Sequence, residues 1–341
     1  MDKKTVPLVI LAIALCAVIV LGEVLTYSIN THSFDAKAEF SSNTLDYSVS
    51  SSGSDTYSVV LLDNDDEQST KTLYIYINER YDDFYKQALE KSNVRYVEQQ
   101  YYSEQVKKFL GLRGFDNVTL IGTEQLIELL NDPGTPKGKG LLITSFALPS
   151  EVYSGHESDA LLQWIKNGGN LYWTASEIGR FYTDSDGLHE VTGNQTLFFG
   201  KECVNTGELA HATSTVDNNF REAFTLMNSG LEFAVNTNGI TDSLSMGYCD
   251  DGYSSISFVK HGNGMMCVIG SMSEIIPQLD DTAQIIASGL TYSSRIIETV
   301  SGNVIRGTVD GKIDYTVTND AVAYIYIGGT YTVYGRCFID Q

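Results

Sequence analysis

Proline, cysteine and positive charge are all scarce in this chain. Five prolines in 341 residues, with 19% of residues charged, exclude an extended, proline-rich or disordered polymer. Five cysteines with no C-x-x-C pair leave zinc ribbons and thioredoxin-like redox sites without support. Against 43 acidic residues stand 22 Lys and Arg, a net charge of −21. A nucleic-acid backbone needs a basic face, so nucleic acid is excluded as a partner. The acidic excess suits a surface exposed to salt or cations.

Long apolar runs are also missing, with one exception. Residues 5–22 form an apolar stretch between Lys3-Lys4 and Glu23. Eighteen helical residues rise about 27 Å, close to the hydrocarbon thickness of a bilayer. Lys3 and Lys4 would hold that end in the cytoplasm and place the bulk of the chain outside. The stretch therefore predicts a signal-anchor helix over residues 1–28. The alternative is a signal peptide cleaved after Val20-Leu21-Gly22, with secretion after cleavage near Gly22. Cys16 follows the bulky Leu15 and reads as an apolar membrane residue rather than a lipid-bearing one. Outside the cell, Cys203, Cys249, Cys267 and Cys337 would form two disulfides in one of three connectivities. Cys267, inside Met-Met-Cys-Val-Ile, reads equally well as a buried free thiol.

Residues 140–182 carry the strongest structural signal. Residues 141–144 are apolar without alternation, as in a strand covered on both faces. Ser154 and Glu157 fit an S-x-x-E capping box, which predicts a helix start. Leu161, Leu162, Trp164 and Ile165 follow on one helical face, and Lys166 suits the negative helix end. Gly168-Gly169 stop the helix, and residues 171–175 read as the next buried strand. A strand–helix–strand unit this compact implies a parallel crossover.

On either side the pattern is coarser. Residues 31–64 predict two or three antiparallel strands joined by a turn at Ser50-Ser51-Ser52-Gly53. Residues 72–77 read as a strand, 82–92 as a helix and 94–97 as a further strand. Helices over 103–110 and 123–130 flank an extended VTLI. Residues 183–219 read as loop-rich, with an extended piece at 196–199, and a short helix covers 220–227. Strands follow at 231–235, 255–259 and 265–269, then one long helix over 280–297. The tail predicts a four-strand meander over 303–309, 312–318, 321–327 and 330–338, with hairpin turns at Asp310-Gly311, Asn319-Asp320 and Gly328-Gly329. The two chain ends share a Tyr/Ser/Thr character and are expected to pair into one small sheet.

The pattern LLI…S.E…LLQWIKNGGNL and the late run HGNGMMCVIGS (residues 261–271) resemble the class I glutamine-amidotransferase-like superfamily, especially its catalytically degenerate, membrane-anchored branch. The resemblance covers residues 72–297. It implies a parallel-sheet, flavodoxin-like layered α/β domain over residues 67–298. An N-terminal β segment (29–66) and a C-terminal β-meander (299–341) would be antiparallel additions. It also implies a cysteine nucleophile on a sharp turn after residues 171–175, where this chain has Ser176 without a flanking glycine. The late His-x-Glu would follow residues 265–269, where Ser271-Met272-Ser273-Glu274 contains no histidine. The resemblance thus implies lost amidotransferase activity.

Ligands of open parallel sheets sit beyond the carboxyl ends of the strands. That rule, applied to these strands, gives Glu79 after the first, Ser145 after the middle one, Ser176 and Glu177 after the next, and Ser271 and Glu274 after the late one. A hydrolase using Ser176 with His189 or His211, and Glu79 or Glu177 as base, is conceivable, but no nucleophile–base pair is anchored to the scaffold. The acid runs at 63–67 and 184–187 lack a complete calcium-loop spacing, and His156 with its neighbouring acids suits capping better than metal. No metal or cofactor is assigned. Asn117 and Asn194 head N-glycosylation sequons, Asn194 being the better acceptor because it lies in the loop-rich part. The 21 tyrosines offer contact area for a glycan or protein, or simply serve sheet faces. The expected function is that of a membrane-anchored, extracytoplasmic, non-catalytic binding protein with a protein or glycan partner, possible as an auxiliary part of a surface or transport assembly. The alternatives are a surface hydrolase acting on a sugar or peptide, and a structural cell-surface component.

Overall fold

The computed structural model describes residues 33–41, 43–64, 66–78, 99–175, 177–206, 215–216, 233–248, 253–270, 275–316, 320–327 and 333–338. The expected membrane span, the helix over 82–92, the strand over 94–97 and the helix over 220–227 lie outside them. Among the described residues no helix is long and apolar enough to cross a membrane.

The elements run β1 (Phe34–Ser41), β2 (Thr44–Asn64), β3 (Thr72–Tyr76), α1 (Gln99–Gly111), β4 (Val118–Ile121), α2 (Thr123–Asn131), β5 (Lys139–Ile143), β6 (Ala147–Pro149), α3 (Ala160–Lys166), β7 (Asn170–Ala175), β8 (Phe181–Asp184), β9 (Gly187–Glu190), α4 (Asn194–Phe199), β10 (Val204–Thr206), β11 (Thr215–Val216), β12 (Phe233–Val235), β13 (Ser243–Tyr248), β14 (Ile256–His261), β15 (Gly264–Gly270), α5 (Ile275–Ala287), β16 (Arg295–Asp314), β17 (Asp320–Ile327) and β18 (Val333–Phe338). The fold is mixed α/β around a large sheet of order β11-β13-β14-β15-β7-β5-β3-β4. From β15 to β4 the neighbours are parallel, while β14, β13 and β11 extend the sheet antiparallel. The apolar runs of β5, β7 and β15 are buried from end to end where described, as their lack of alternation predicts.

Each face of this sheet carries a helical layer. Leu142, Tyr172 and Cys267 pack toward α1 and α5, through Val106, Leu110, Leu279 and Ile286. Leu141, Trp173 and Met266 pack toward α2, α3 and α4, through Leu126, Trp164 and Phe198. A second sheet, β1-β2-β17-β18 with β16 on the free side of β2, lies over α1 and α5. The expected pairing of the chain ends is therefore present. Strand β2 pairs with β16 from Asp63–Arg295 to Thr44–Asp314, and along its other side with β1 and then β17. Val60, Leu62, Val322 and Tyr324 face the helices, whereas Leu45, Val49, Val59, Ile313 and Ile325 form a third core inside the small sheet.

Several local expectations give way to this pairing. The Ser50–Gly53 stretch is no chain reversal; β2 runs straight through it. Register on β16 jumps from Ser51↔Gly307 to Ser54↔Ile305, so Ser52 and Gly53 form a bulge opposite Arg306, whose φ is 41°. Asp310-Gly311 is no hairpin either, because β16 continues across it. A Cβ on Gly311 would lie 2.2 Å from the Tyr47 ring across the ladder, so glycine there admits an aromatic ring, not a turn. The helix expected over 280–297 ends at Ala287, where Gly289 at φ 66° breaks it, and Ile296 and Ile297 belong to β16. Residues 196–199 are helical, not extended. The Ser154/Glu157 box does not form: α3 starts at Ala160, and the Asp159 carboxylate accepts the Ser154 and His156 N–H groups at 2.7 and 2.9 Å.

The two-disulfide expectation is also corrected. Cys203 and Cys267 are buried free thiols. Burial pushes the Cys203 thiol up to about 11 and Cys267 well above its ordinary value, which keeps both protonated and unreactive.

The Gly311–Tyr47 contact makes a direct prediction. Gly311→Ala should destabilise the chain by about 1–3 kcal/mol through overpacking. In a Tyr47→Ala background the same change should cost almost nothing. Urea unfolding of the four-member mutant cycle measures that coupling; strictly additive effects would contradict the ring-over-glycine account.

Candidate functional site

The carboxyl ends of β3, β5 and β7 converge with the start of α1 and the middle of α5. Asn78, just past β3, is fully buried. Its backbone N–H donates to Gln99 Oε1 at 2.6 Å, and its side-chain amide donates to the Ala147 carbonyl at 3.2 Å. Ser145, past β5, is fully buried and donates through its hydroxyl to that carbonyl at 2.9 Å. The Ala147 N–H returns to the Ser145 carbonyl at 2.6 Å, closing a γ-turn around Phe146. Phe146 is buried with φ 62°, a left-handed conformation that costs a large residue of the order of 1 kcal/mol. The two bonds to the Ala147 carbonyl help to hold it.

Tyr102 of α1 reaches toward Thr174 of β7 and Thr282 of α5. Burial pushes its phenol up to about 12, with the neighbouring Asp281 charge adding to the rise. The two threonine hydroxyls lie beside the phenol but outside full hydrogen-bond geometry, and the Tyr102 oxygen has no partner among the described residues. The same holds for Asn78 Oδ1, Ser103 Oγ, Thr144 Oγ1 and Thr282 Oγ1. Buried polar atoms are nearly always paired, so five orphans at one end of a sheet mark a place set aside from ordinary packing.

Of the strand-end residues chosen from sequence, Ser145 and Glu177 lie within the described chain; Glu79, Ser176, Ser271 and Glu274 lie outside the described residues. Glu177 is a tie rather than a poised base. Its carboxylate accepts the Asn194 and Gln195 side-chain amides at 3.0 and 2.7 Å, joining the loop after β7 to the first turn of α4. That loop is pinned again by Asn194 Nδ2 and the Tyr153 hydroxyl, which donate to the Ile178 and Gly179 carbonyls at 2.8 and 2.7 Å.

At the Asn194 sequon the side chain is buried and its amide donates to Glu177 and to the Ile178 carbonyl. Asn117 is exposed, and its amide donates to Thr72 Oγ1 at 2.7 Å. The Asp184 carboxylate of the 184–187 run is occupied by the Asp186 and Gly187 N–H groups and by His189 Nε2, the last at 2.8 Å. In the 63–67 run Asp63 pairs with Arg295 and Glu67 with Lys137. Among the described residues no three His, Cys, Asp or Glu side chains converge as metal ligands. Among the described tyrosines, Tyr76, Tyr102, Tyr324 and Tyr326 are buried, whereas Tyr101 is exposed.

Sequence reasoning missed Gln99, Tyr102, Ser103, Thr144, Thr174 and Thr282. The signal was present but faint. Tyr102 and Ser103 share a helical face with Val106 and Leu110, and Thr282 lies next to Ala283 on a face that continues with Ile285 and Ile286. Polar residues inside an otherwise apolar helical stripe are the trace such a site leaves.

No protein-family model and no curated protein matches the chain. Solved structures resemble it at low identity. An exo-β-1,4-mannosidase, Op5Man5 from Opitutaceae bacterium strain TAV5, is 15% identical over 65% of this chain and 35% of that one, with a TM-score of 0.33. Gan42B, a GH42 β-galactosidase from G. stearothermophilus, is 13% identical over 79% of this chain and 39% of that one, with a TM-score of 0.39. A ThuA-like protein from Bacteroides uniformis is 11% identical over 64% of this chain and 90% of that one, with a TM-score of 0.35. The chain thus spans well under half of either glycosidase. ThuA-like proteins have the class I glutamine-amidotransferase-like fold. Scores this low assign no activity to the chain.

One histidine gives a pH prediction. His261, at the β14–β15 turn, is held below its ordinary pKa, chiefly by burial, against the pull of the Phe198 carbonyl 3.1 Å from Nδ1. A folded-state pKa below the unfolded one gives stability that is full above about pH 6.5 and is lost as pH falls through the folded value. The urea midpoint should therefore drop on acidification from about pH 7.5 to about pH 5.5, and the drop should shrink in His261→Asn. An equal drop in both proteins would exclude this histidine as the cause.

Proposed function

We propose that the chain is a membrane-held, extracytoplasmic binding protein rather than an enzyme, and that it meets its ligand at the carboxyl ends of β3, β5 and β7. One observation carries the reading. The orphaned groups there are uncharged: an amide oxygen on Asn78, a phenol on Tyr102 and hydroxyls on Ser103, Thr144 and Thr282. Neutral donors and acceptors suit a polyhydroxylated or amide-bearing ligand, a surface glycan in the first instance, better than a reaction needing a poised base. Glu177, the described carboxylate after β7, is already spoken for by two amides. The degenerate positions of the amidotransferase resemblance support the same reading. The apolar run over residues 5–22 and Lys3-Lys4 support membrane attachment with the body outside.

The test separates a ligand site from a packing defect. Thr144→Val removes an unpaired buried hydroxyl and should stabilise the chain by about 1 kcal/mol. If the orphans exist for a ligand, the same variant should lose at least about tenfold in affinity for the glycan that the detergent-solubilised full chain selects from an array, a trade of stability against function. Stabilisation with unchanged glycan binding would reduce the cluster to imperfect packing. Release of the chain from membranes by alkaline carbonate would separately refute anchoring.

A further inference from the structure

The opposite, amino-terminal end of the parallel sheet carries a second site. Five connections converge there on a polar cleft of about 350 Å3: the segment between β2 and β3, the α2–β5 and α3–β7 loops, the β14–β15 turn and the α5–β16 loop. That size lies within the range of small-ligand pockets. Among the described residues its charged lining is Lys137 and Lys260, in a chain of net charge −21. Thr135, Asn167 and Asn263 add neutral hydrogen-bonding groups. Gln68 adds a buried side-chain oxygen with no partner among the described residues. Tyr292 contributes an aromatic wall, with Lys260 Nζ 5.4 Å from its ring centre.

The cleft is built rather than incidental. The β14–β15 turn sits hard against the end of α3: a Cβ on Gly262 would come within 2.7 Å of the Lys166 backbone, and one on Gly264 within 2.2 Å of the Gly169 carbonyl. The last carbonyls of α3, from Gln163 to Lys166, each accept a backbone N–H, so the negative helix end is capped where it meets the cleft. Both lysines take part in exposed ion pairs. Lys137 pairs with Glu67 at side-chain exposures of 45% and 74%, and Lys260 with Asp242 at 3.7 Å and exposures of 40% and 52%. Ion pairs this exposed contribute little and are exchangeable for a ligand carboxylate.

We propose that this cleft binds a small carboxylated polyhydroxy compound, an acidic monosaccharide being the simplest such ligand. The lysines take the carboxylate, the amides and Thr135 take hydroxyls, and Tyr292 takes the apolar face of the ring. This site is distinct from the strand-end cluster and stands or falls separately.

The probe is galacturonate, titrated calorimetrically into the detergent-solubilised full chain, with galactose, acetate and inorganic phosphate as comparisons. Galacturonate should bind at least about tenfold more tightly than galactose or acetate, and its affinity should fall as salt is raised. Lys137→Gln and Lys260→Gln should each weaken it by about tenfold at unchanged Tm. Tyr292→Leu should weaken galacturonate while leaving any phosphate binding untouched. No galacturonate binding, salt-independent binding, equal binding of acetate, preference for phosphate, or indifference to both lysine variants would overturn the proposal. Because the salt series uses the unaltered protein, the outcome does not depend on the variants folding. Thr144→Val should leave galacturonate binding intact, which separates failure here from failure of the strand-end site.

Discussion

The pairing of β2 with β16 is the constraint on which the rest of the molecule depends. It joins segments more than 230 residues apart, from Asp63–Arg295 to Thr44–Asp314. Closing so long a loop is entropically costly, so the pairing must be supported on both faces. Val59 to Leu62 show how: Val60 and Leu62 face α1 and α5, while Val59 and Leu61 face the interior of the small sheet. Two hydrophobic cores therefore share one strand. The helical layer of α1 and α5 is in turn held between the two sheets, and Arg113 at the end of α1 is buried against Asp280 of α5. The β2 and β17 residues Val60, Leu62, Val322 and Tyr324 cover one face of the layer that carries Tyr102, Ser103 and Thr282.

This dependence explains which features were legible in the sequence. Stretches buried on both faces advertise themselves. Residues 141–143, 171–173 and 265–269 are unbroken apolar runs, and each lies in a strand of the parallel sheet. The Gly168-Gly169 stop was readable because the backbone requires it locally. The β additions were legible as strands, and their shared composition suggested that they pair. Their internal punctuation misled. Gly53, Asp310 and Gly311 carry turn chemistry, yet long pairing overrode local preference. Gly53 was absorbed into a bulge and Gly311 into a ring contact. The helix forecast over 280–297 failed for the related reason that Ile296 and Ile297 fit a helical stripe and a strand equally well.

The candidate site was only half legible. Its address followed from the strand-end rule, which named Ser145 and the residues after β7. Its chemistry did not, because the groups that distinguish it come from helices. A threonine or tyrosine inside an apolar helical face changes hydropathy very little, and the orphaned state of its hydroxyl is a property of packing alone. Asn194 illustrates the reverse error: a sequon in polar sequence reads as surface, whereas its amide is spent on Glu177 and Ile178.

The two ends of the parallel sheet are chemically unlike, and the difference follows from how each is built. At the carboxyl end the orphaned groups on Asn78, Tyr102, Ser103, Thr144 and Thr282 are buried and uncharged. Phe146 keeps a left-handed backbone, and Ser145 and Asn78 both bond the carbonyl that follows it. Such strain persists where surrounding structure over-determines it, and it is concentrated at functional positions. At the amino end the cleft lysines Lys137 and Lys260 are exposed, so charge there stays hydrated. Lysines accumulate at that mouth although the chain as a whole is acidic. A buried neutral cluster favours recognition by hydrogen-bond geometry, because an unmatched group inside it is expensive. An open cationic cleft favours recognition by charge, which screening by salt weakens. The two proposed sites would thus use different modes of recognition at opposite ends of one sheet, one through buried uncharged groups and one through hydrated charge.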